Sequence, residues 1–210
     1  MQFDAVKQVR TIVIPKETSC YRIVTDNPDN WYLIANRPIA QGEFFTASAD
    51  TTFHVEDVRG VEFVNVLLEE TQEIRKVYTI ISAVPSDASC VPNVLEIPWC
   101  FMNHSCKPNT LDLWNTMLPA KLKFVKTKAT RDIAKGEELT YDYALEQYNY
   151  ESQFECRCGV ESCRGMIRGF NGLNREQQKN LLSLASPYVQ KKYRRECILE
   201  YIKSILKYVK

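Results

Sequence analysis

Three cysteines within eight residues constrain this chain more than any other local feature. They form the segment Cys156-Arg-Cys158-Gly-Val-Glu-Ser-Cys163. Three thiolates on so tight a loop can occupy three corners of a zinc tetrahedron, and a fourth protein ligand would close the site and make it structural. Gly159 and the polar neighbours disfavour the alternative that these cysteines simply pack as small hydrophobic residues. The candidates for the fourth ligand are Cys106, Cys100, Cys90 and His104, and Cys106 is favoured by its position in the sequence.

The composition limits the classes of protein that this chain can belong to. Its 210 residues are 45% hydrophobic, enough for the core of one domain with an extension. No apolar run approaches the roughly 18 residues of a membrane span, so no membrane association is expected. The segment that follows Met1 lacks the basic and apolar parts of a secretory signal, which predicts an intracellular protein. A reducing compartment favours metal binding over disulfides for the eight unevenly spaced cysteines.

Most of the chain is predicted to be β-structure. Apolar and β-branched clusters separated by Pro, Gly and Asn predict short strands, and the clean alternation in residues 121–127 predicts the most secure one, with Leu122 and Phe124 on one face. Residues 61–84 fit either a strand or a helix. The other predicted strands are residues 10–14, 21–24, 31–35 and 43–47.

The last forty residues are predicted to form two helices. Asn174 is a plausible N-cap, Pro187 divides the segment, and apolar residues recur at helical spacing from Val189 to Val209. Residues 190–210 hold seven Lys or Arg and two Glu, a charge of +5, whereas the remainder of the chain carries −4. The apolar stripe would pack on the domain or on a second subunit. The cations form a solvated face or contact phosphates or an acidic protein surface.

Two further motifs are rich in polar and aromatic groups. Asn103-His104-Ser105-Cys106-Lys107-Pro108-Asn109 predicts a loop, because it is dense in hydrogen-bonding groups and contains Pro. Gly136-Glu-Glu-Leu-Thr-Tyr141-Asp-Tyr143 predicts a turn followed by a strand whose two tyrosines project from the same face. Two neighbouring phenols fit either an ordinary core or a narrow aromatic channel.

The order of these motifs resembles that of the SET-domain protein lysine methyltransferases with a post-SET zinc module. Residues 33–43, Leu-Ile-Ala-Asn-Arg-Pro-Ile-Ala-Gln-Gly-Glu, are similar to the amino-terminal SET motif, so the resemblance runs from about residue 20 to residue 167. It implies a mainly β fold, with several small sheets around a knot-like core and a C-terminal α-helical extension. The implied divisions are a SET domain at 1–150 with a variable insert at about 50–98, a post-SET zinc knuckle at 151–170 and a helical extension at 171–210.

The resemblance also implies an activity, namely transfer of a methyl group from S-adenosylmethionine to a protein lysine. A histone is the implied substrate, which favours a nuclear location, with nucleosome contact through the basic C-terminal helix and a homodimer through the C-terminal helices as further expectations. Tyr143 would be the catalytic tyrosine, and Tyr141 would favour mono- or dimethylation. The implied cofactor-binding residues are Asn30, Trp31, Tyr32, Asn103, His104, Met166 and Ile167, and the implied ligands of a structural Zn²⁺ are Cys106, Cys156, Cys158 and Cys163.

The chain departs from the family pattern in two places. The family's Gly-x-Gly, which lets the backbone approach the cofactor, falls on Asn30-Trp31-Tyr32. A tyrosine often follows the Gly-Glu pair of the family motif, but residues 44–48 are Phe-Phe-Thr-Ala-Ser. These departures support a second hypothesis, a catalytically degenerate SET domain that serves as a binding or scaffolding module.

Overall fold

The computed structural model describes residues 11–26, 30–45, 52–54, 63–78, 94–96, 101–115, 124–150 and 153–208. Within these ranges the chain forms short strands followed by two α-helices. The strands are β1 (Thr11–Ile14), β2 (Tyr21–Val24), β3 (Tyr32–Ala35), β4 (Phe44–Phe45), β5 (Thr52–His54), β6 (Phe63–Leu68), β7 (Ile74–Tyr78), β8 (Val94–Glu96), β9 (Asn103–His104), β10 (Thr110–Asn115), β11 (Phe124–Ala129), β12 (Thr140–Tyr141), β13 (Phe154–Glu155) and β14 (Met166–Ile167).

The described strands pair into several small sheets, as expected from the sequence. Two sheets have three strands, in the orders β1-β6-β7 and β10-β11-β4, and the remaining strands pair two by two. Most pairs are antiparallel, but β1 lies parallel to β6 and β12 lies parallel to β9. No helix in the described ranges is both long enough and apolar enough to cross a membrane.

The main apolar core lies between these sheets. Strand β2 illustrates how the sequence builds it, because Tyr21 and Ile23 are buried whereas Arg22 between them is exposed. The segment of residues 33–35 is buried throughout, since β3 lies inside the molecule. The largest fully buried side chains of this core are those of Ile14, Tyr21, Ile23, Leu33, Ile39, Leu68, Met102, Ile133 and Leu139.

Asn109 ties the two motifs of the sequence together. Its side chain is buried, and its Nδ2 donates to the Glu138 carbonyl at 2.8 Å while its Oδ1 accepts from the Thr140 N–H at 2.9 Å. The Ser105 N–H donates to the Tyr141 carbonyl at 3.0 Å. These bonds hold β9 in register with β12, so that Asn103 lies opposite Thr140.

The two C-terminal helices are confirmed. Helix α1 (Arg175–Leu181) begins with a capping box in which Asn174 and Gln177 exchange side-chain-to-backbone hydrogen bonds. Helix α2 (Pro187–Tyr208) begins at Pro187, where the fixed φ of proline suits the first turn. A second apolar core joins these helices to the SET-like part of the chain, with Phe170 and Val189 fully buried.

Several predicted strand bounds were wrong. The strand predicted at 43–47 is confined to Phe44–Phe45 in the described residues, and the strand predicted at 31–35 begins one residue later. The strand predicted at 10–14 is described as Thr11–Ile14, and residue 10 lies outside the described residues. The strand predicted at 121–127 is described as Phe124–Ala129, because its pairing with β10 continues to Ala129; Leu122 lies outside the described residues. The unsettled segment 61–84 contains antiparallel β6 and β7.

Candidate functional site

The parallel pair β9 and β12 forms the floor of the candidate site. Asn103 and His104 form a two-residue strand rather than the expected loop, because each has a register partner in β12. The Asn103 Nδ2 donates to the Glu138 Oε1 at 2.8 Å. This bond orients the amide. The Asn103 Oδ1 accepts no hydrogen bond from the described residues and so remains available to a ligand.

Tyr143 lies beyond β12, which ends at Tyr141. The predicted strand through Tyr143 was wrong, because Asp142 caps a 3₁₀-helix, Tyr143–Leu145, by accepting the Ala144 N–H at its Oδ1 (3.0 Å). The two tyrosine rings still lie side by side, with centroids 4.8 Å apart. The Tyr143 Oη donates to the Met102 carbonyl at 3.0 Å, which aims the hydroxyl.

Two aromatic residues that the sequence did not single out complete a wall around Tyr143. The centroids of Tyr150 and Phe154 each lie 6.4 Å from the Tyr143 ring, and they lie 5.7 Å from each other at nearly a right angle. Burial, and then the nearby Tyr143 phenol, raises the pKa of Tyr150 far above its usual value. The site therefore has an aromatic side, which is desolvated at Tyr150 and exposed at Phe154, even though no tyrosine follows Gly42-Glu43.

His104 is a neutral side chain with a defined tautomer. Its Nδ1 lies 3.1 Å from the Tyr143 N–H and must accept, because a backbone N–H can only donate. The hydrogen of the neutral ring is then on Nε2, which lies 3.3 Å from both the Cys106 Sγ and the Arg164 Nη2. Because a guanidinium cannot accept, this hydrogen can be donated only to the sulfur. Burial lowers the pKa of His104 to about 4, and the attraction of Asp142 only partly opposes this shift.

Four cysteines converge beside His104. The sulfur atoms of the cluster lie within 4.8 Å of one another, and those of Cys106 and Cys156 are 3.7 Å apart. A zinc ion about 2.3 Å from each sulfur requires tetrahedral edges of about 3.8 Å, which this arrangement matches. The cluster could therefore hold a zinc ion with no open position. Cys90 and Cys100 lie outside the described residues, and the members are Cys106, Cys156, Cys158 and Cys163.

Arg164 follows directly after this cluster and was not singled out as a site residue. Its Nη2 donates to the Asp142 Oδ1 at 2.6 Å and its Nε donates to the Cys106 Sγ at 3.3 Å. Only 13% of its side chain and 5% of the Asp142 side chain are exposed. The signal in the sequence was its place next to Cys163, but nothing local indicated a partner 22 residues earlier.

A cavity of about 390 Å³ opens between β9, β12 and the cysteine loop. Its volume is in the range of small-molecule sites. Of the Asn30-Trp31-Tyr32 segment only Asn30 lines it, whereas Trp31 is 6% exposed and packs against Phe101 in the core. Other lining residues are Asn103, His104, Glu138, Tyr143, Phe154 and Ile167.

A second cavity of about 330 Å³ shares His104 and Ile167 with the first. Met166, which is exposed, lines this second cavity together with Arg164. Tyr32, which stands at the second glycine of the family pattern, has no positive φ, so a glycine-specific backbone is not required at that position. The predicted cofactor residues thus divide into a group around His104 and a pair, Trp31 and Tyr32, that lines neither cavity.

Known proteins resemble this chain over limited lengths. Human histone-lysine N-methyltransferase SETD2 is 40% identical over 72 residues, which are 34% of this chain and 3% of that protein. An H3 lysine-36 specific histone-lysine N-methyltransferase of Schizosaccharomyces pombe is 44% identical over 70 residues, 33% of this chain and 8% of that protein. Xenopus laevis histone-lysine N-methyltransferase SUV39H1 is 32% identical over 149 residues, 59% of this chain and 32% of that protein.

The chain thus spans less than a third of the length of these three relatives. Among solved structures, the methyltransferase domain of human SETMAR superimposes with a TM-score of 0.43 at 18% identity, covering 72% of this chain and 59% of that one. The family model described as SET domain matches residues 30–144, more than half of the chain. On that match, the chain belongs to the SET domain family.

Proposed function

We propose that the protein is an S-adenosylmethionine-dependent protein-lysine N-methyltransferase that acts on a histone lysine. The observation that carries this proposal is the parallel pairing of β9 with β12, which brings Asn103 and His104 beside Tyr143. The relatives whose names include histone-lysine N-methyltransferase support the substrate class. A histone substrate also favours a nuclear location.

The site chemistry suits a lysine nucleophile. A solvated lysine has a pKa near 10.4 and is almost fully protonated at neutral pH, so the site must favour the neutral amine. The buried ring of Tyr150 beside Tyr143 would keep water from part of the site, which disfavours the ammonium form. The Tyr143 hydroxyl, held by the Met102 carbonyl, would orient the amine rather than act as a strong base.

The cavity beside His104 is where we propose that the cofactor binds. Bound S-adenosylmethionine would supply an electrophilic methyl group and a positive charge that further disfavours a protonated lysine. Asn103 would offer its free Oδ1, and Asn30 would line the opposite side. Met166 and Ile167 would pack near the adenine. Trp31 and Tyr32 line neither cavity, so of the predicted segment only Asn30 would contact the cofactor.

Tyr141 would limit the number of methyl groups added. Its ring lies 4.8 Å from that of Tyr143, so a hydroxyl there can hold a water and reduce the room beside the lysine nitrogen. We therefore propose mono- or dimethylation. Tyr141→Phe is expected to raise the share of trimethylated product, as measured by mass spectrometry of a peptide substrate.

We propose that the SET domain extends over 1–150, the zinc knuckle over 151–170 and the helical extension over 171–210.

The extension would contact an acidic chromatin surface, because Arg194 and Arg195 are exposed on α2. Binding to nucleosomes should then weaken steeply with salt and with Arg194→Ser plus Arg195→Ser. These substitutions are preferable to deleting 188–210, which would remove the buried Val189. A concentration-dependent dimer in sedimentation, with binding insensitive to salt, would instead favour pairing through α2.

The test of the proposed activity is transfer of a labelled methyl group. Zinc-loaded protein, methyl-labelled cofactor and histone octamers should give labelled histone, and octamers with chemically blocked lysines should not be labelled. Cofactor binding without label on any histone would overturn the histone assignment. Failure to bind the cofactor would favour the degenerate scaffold, for which the Asn30-Trp31-Tyr32 segment is the motivating feature.

A further inference from the structure

Arg164 joins the cysteine cluster to the segment that carries Tyr143. Its backbone N–H and its Nε both donate to the Cys106 Sγ, at 3.4 and 3.3 Å. The Nη2 at the other edge of the guanidinium donates to the Asp142 Oδ1 at 2.6 Å. Because the side chain is only 13% exposed, these charge-assisted bonds are little screened by water.

Asp142 passes this contact on to Tyr143. The same Oδ1 that binds Arg164 accepts the Ala144 N–H at 3.0 Å and so starts the 3₁₀-helix Tyr143–Leu145. The direction in which the chain turns after Tyr141 therefore depends on where the Asp142 carboxylate is held. A shift of the Arg164 guanidinium would move that carboxylate, and the Tyr143 backbone would follow.

The electrostatics make Arg164 necessary to both sides. Four thiolates around a divalent ion leave a net charge of about −2, which the adjacent guanidinium partly neutralises. The Asp142 side chain is 5% exposed, and a carboxylate so buried is costly without a cation. One residue therefore compensates two anionic groups that do not contact each other directly in the described part of the chain.

We propose that Arg164 is a positioning residue that couples metal binding at the four-cysteine cluster to the geometry of Tyr143. A bound metal fixes the Cys106 sulfur, this sulfur fixes the guanidinium, and the guanidinium fixes Asp142 and the start of the 3₁₀-helix. The coupling to the metal stands apart from the proposed methyl transfer. Only the kinetic consequence rests on that proposed function.

The discriminating variant is Asp142→Asn, measured in the full chain. It removes a charge at a residue that contacts no cysteine among the described residues, and its amide oxygen can still accept the Ala144 N–H. Zinc retention is measured by competition with a chromophoric chelator. We expect Arg164→Met to weaken zinc binding about 10–100-fold, as loss of an outer hydrogen bond to a metal ligand does, and Asp142→Asn to weaken it less but measurably. In the Arg164→Met background, Asp142→Asn should have a smaller effect than it has alone, because only the longer contact of Asp142 with His104, which lies against Cys106, then remains.

Arg131→Met is the matched control. It removes the ion pair between Arg131 and Glu137, and this pair is remote from the cysteines. It should retain zinc as the unmodified protein does. Zinc retention unchanged by Asp142→Asn, or changed equally in both backgrounds, would overturn the coupling. If Arg164→Met does not fold, Arg164→Lys serves in the same cycle, because it keeps the charge but cannot reach both partners.

A kinetic measurement separates positioning from stability. Arg164→Lys, loaded with zinc, should lower kcat for methyl transfer at least 10-fold and leave KM for the lysine substrate within about 2-fold. A raised KM with unchanged kcat would overturn the positioning role. Absence of methyl transfer in the unmodified protein would count against the proposed function, and the zinc cycle would still decide the coupling.

Discussion

Tyr143 is fixed both at its backbone and at its hydroxyl. The His104 Nδ1 accepts its N–H, and its Oη donates to the Met102 carbonyl. Tyr143→Phe keeps the ring contacts and removes only the hydroxyl, so the protein should fold and bind the cofactor normally. We expect kcat for methyl transfer to fall about 10²-fold or more, as when one well-placed polar group is removed from an active site.

Tyr148→Phe is the control for this substitution. It also removes a tyrosine hydroxyl, which donates to the Glu196 Oε2 at 2.8 Å in the second core, away from the candidate site. It should lower stability and leave kcat nearly unchanged. Equal rates of labelled methyl transfer by Tyr143→Phe and the unmodified protein would contradict the catalytic assignment.

Glu146 gives a pH dependence of stability at the residue scale. Desolvation of its carboxyl and the neighbouring Asp112 carboxylate raise the pKa of Glu146 well above 4.5. The folded state then keeps a proton that the unfolded state releases above its own pKa near 4.5. Stability attributable to Glu146 is therefore present below pH 4.5 and is lost as the pH rises toward the folded-state pKa.

Glu146→Gln should remove this loss. The free energy of unfolding is measured in denaturant from pH 5 to pH 8. Its decrease with rising pH should be smaller in the variant than in the unmodified protein, by at most about 1.4 kcal/mol per pH unit. Glu69→Gln, at an exposed turn, is the matched control and should keep the original slope. Identical slopes for Glu146→Gln and the unmodified protein would refute the assignment.

Residue identities were predictable where a motif supplied them, but their partners were not. Spacing alone indicated Cys156, Cys158 and Cys163, whereas Cys106, Asn103, His104 and Tyr143 were implied by the resemblance to the family motifs. The bond between Arg164 and Asp142 joins residues 22 positions apart, and its existence depends on how the cysteine loop folds back. Tyr150 and Phe154 reach the Tyr143 ring by a similar tertiary approach, which no local pattern indicates.

At the scale of elements, Gly169 lets two segments of backbone approach closely. A Cβ at this position would lie 2.8 Å from the Tyr148 carbonyl oxygen and 2.9 Å from the Asn149 nitrogen, and φ is +83°. Gly169→Ala should cost about 1–2 kcal/mol for the backbone conformation and a further 1–3 kcal/mol for overpacking. Denaturant unfolding with saturating zinc measures the difference.

Gly136→Ala is matched to it in φ, which is +84°, and its added Cβ would meet nothing within 4 Å. This control should lose only the backbone part. Equal losses in the two variants would show that the contact of residue 169 with residues 147–149 is unimportant.

Elements were predictable to the extent that local chemistry defines them. Asn174 and Pro187 mark the helix starts correctly, because capping and fixed φ act within a turn. The end of β12 was missed, since the cap that stops it depends on Asp142, a residue held by the distant Arg164. The two-residue β9 exists only because β12 lies beside it.

In the whole molecule, the four-cysteine cluster joins residues from distant parts of the chain. The cluster connects Cys106, which follows β9, to Cys156, Cys158 and Cys163 fifty or more positions later. Cys163→Ser should release most of the zinc. It should also weaken cofactor binding, because the cluster would no longer hold together the segments that line the cavity. Cys197→Ser, on α2 outside the cluster, should retain one zinc per chain by elemental analysis. Equal zinc content in both variants would contradict a four-cysteine site.

The small-sheet architecture and the membership of the cysteine cluster were implied by the resemblance of the motifs, in their order, to the SET-domain family. The sequence did not indicate what the C-terminal extension contributes to the candidate site. Gln177 of α1 lines the cavity that it shares with His104, and this depends on how the second core packs. Charge segregation toward residues 190–210 indicated a distinct segment but not its contacts.

The central claim is that the cavity beside Asn103 and His104 binds S-adenosylmethionine although Asn30-Trp31-Tyr32 replaces the family glycines. Calorimetric titration of the zinc-loaded protein tests it most directly. We predict saturable one-to-one binding that Asn103→Ala weakens at least 10-fold, because the amide loses its contact with the ligand. No binding at millimolar cofactor by a folded, zinc-loaded protein would contradict the account.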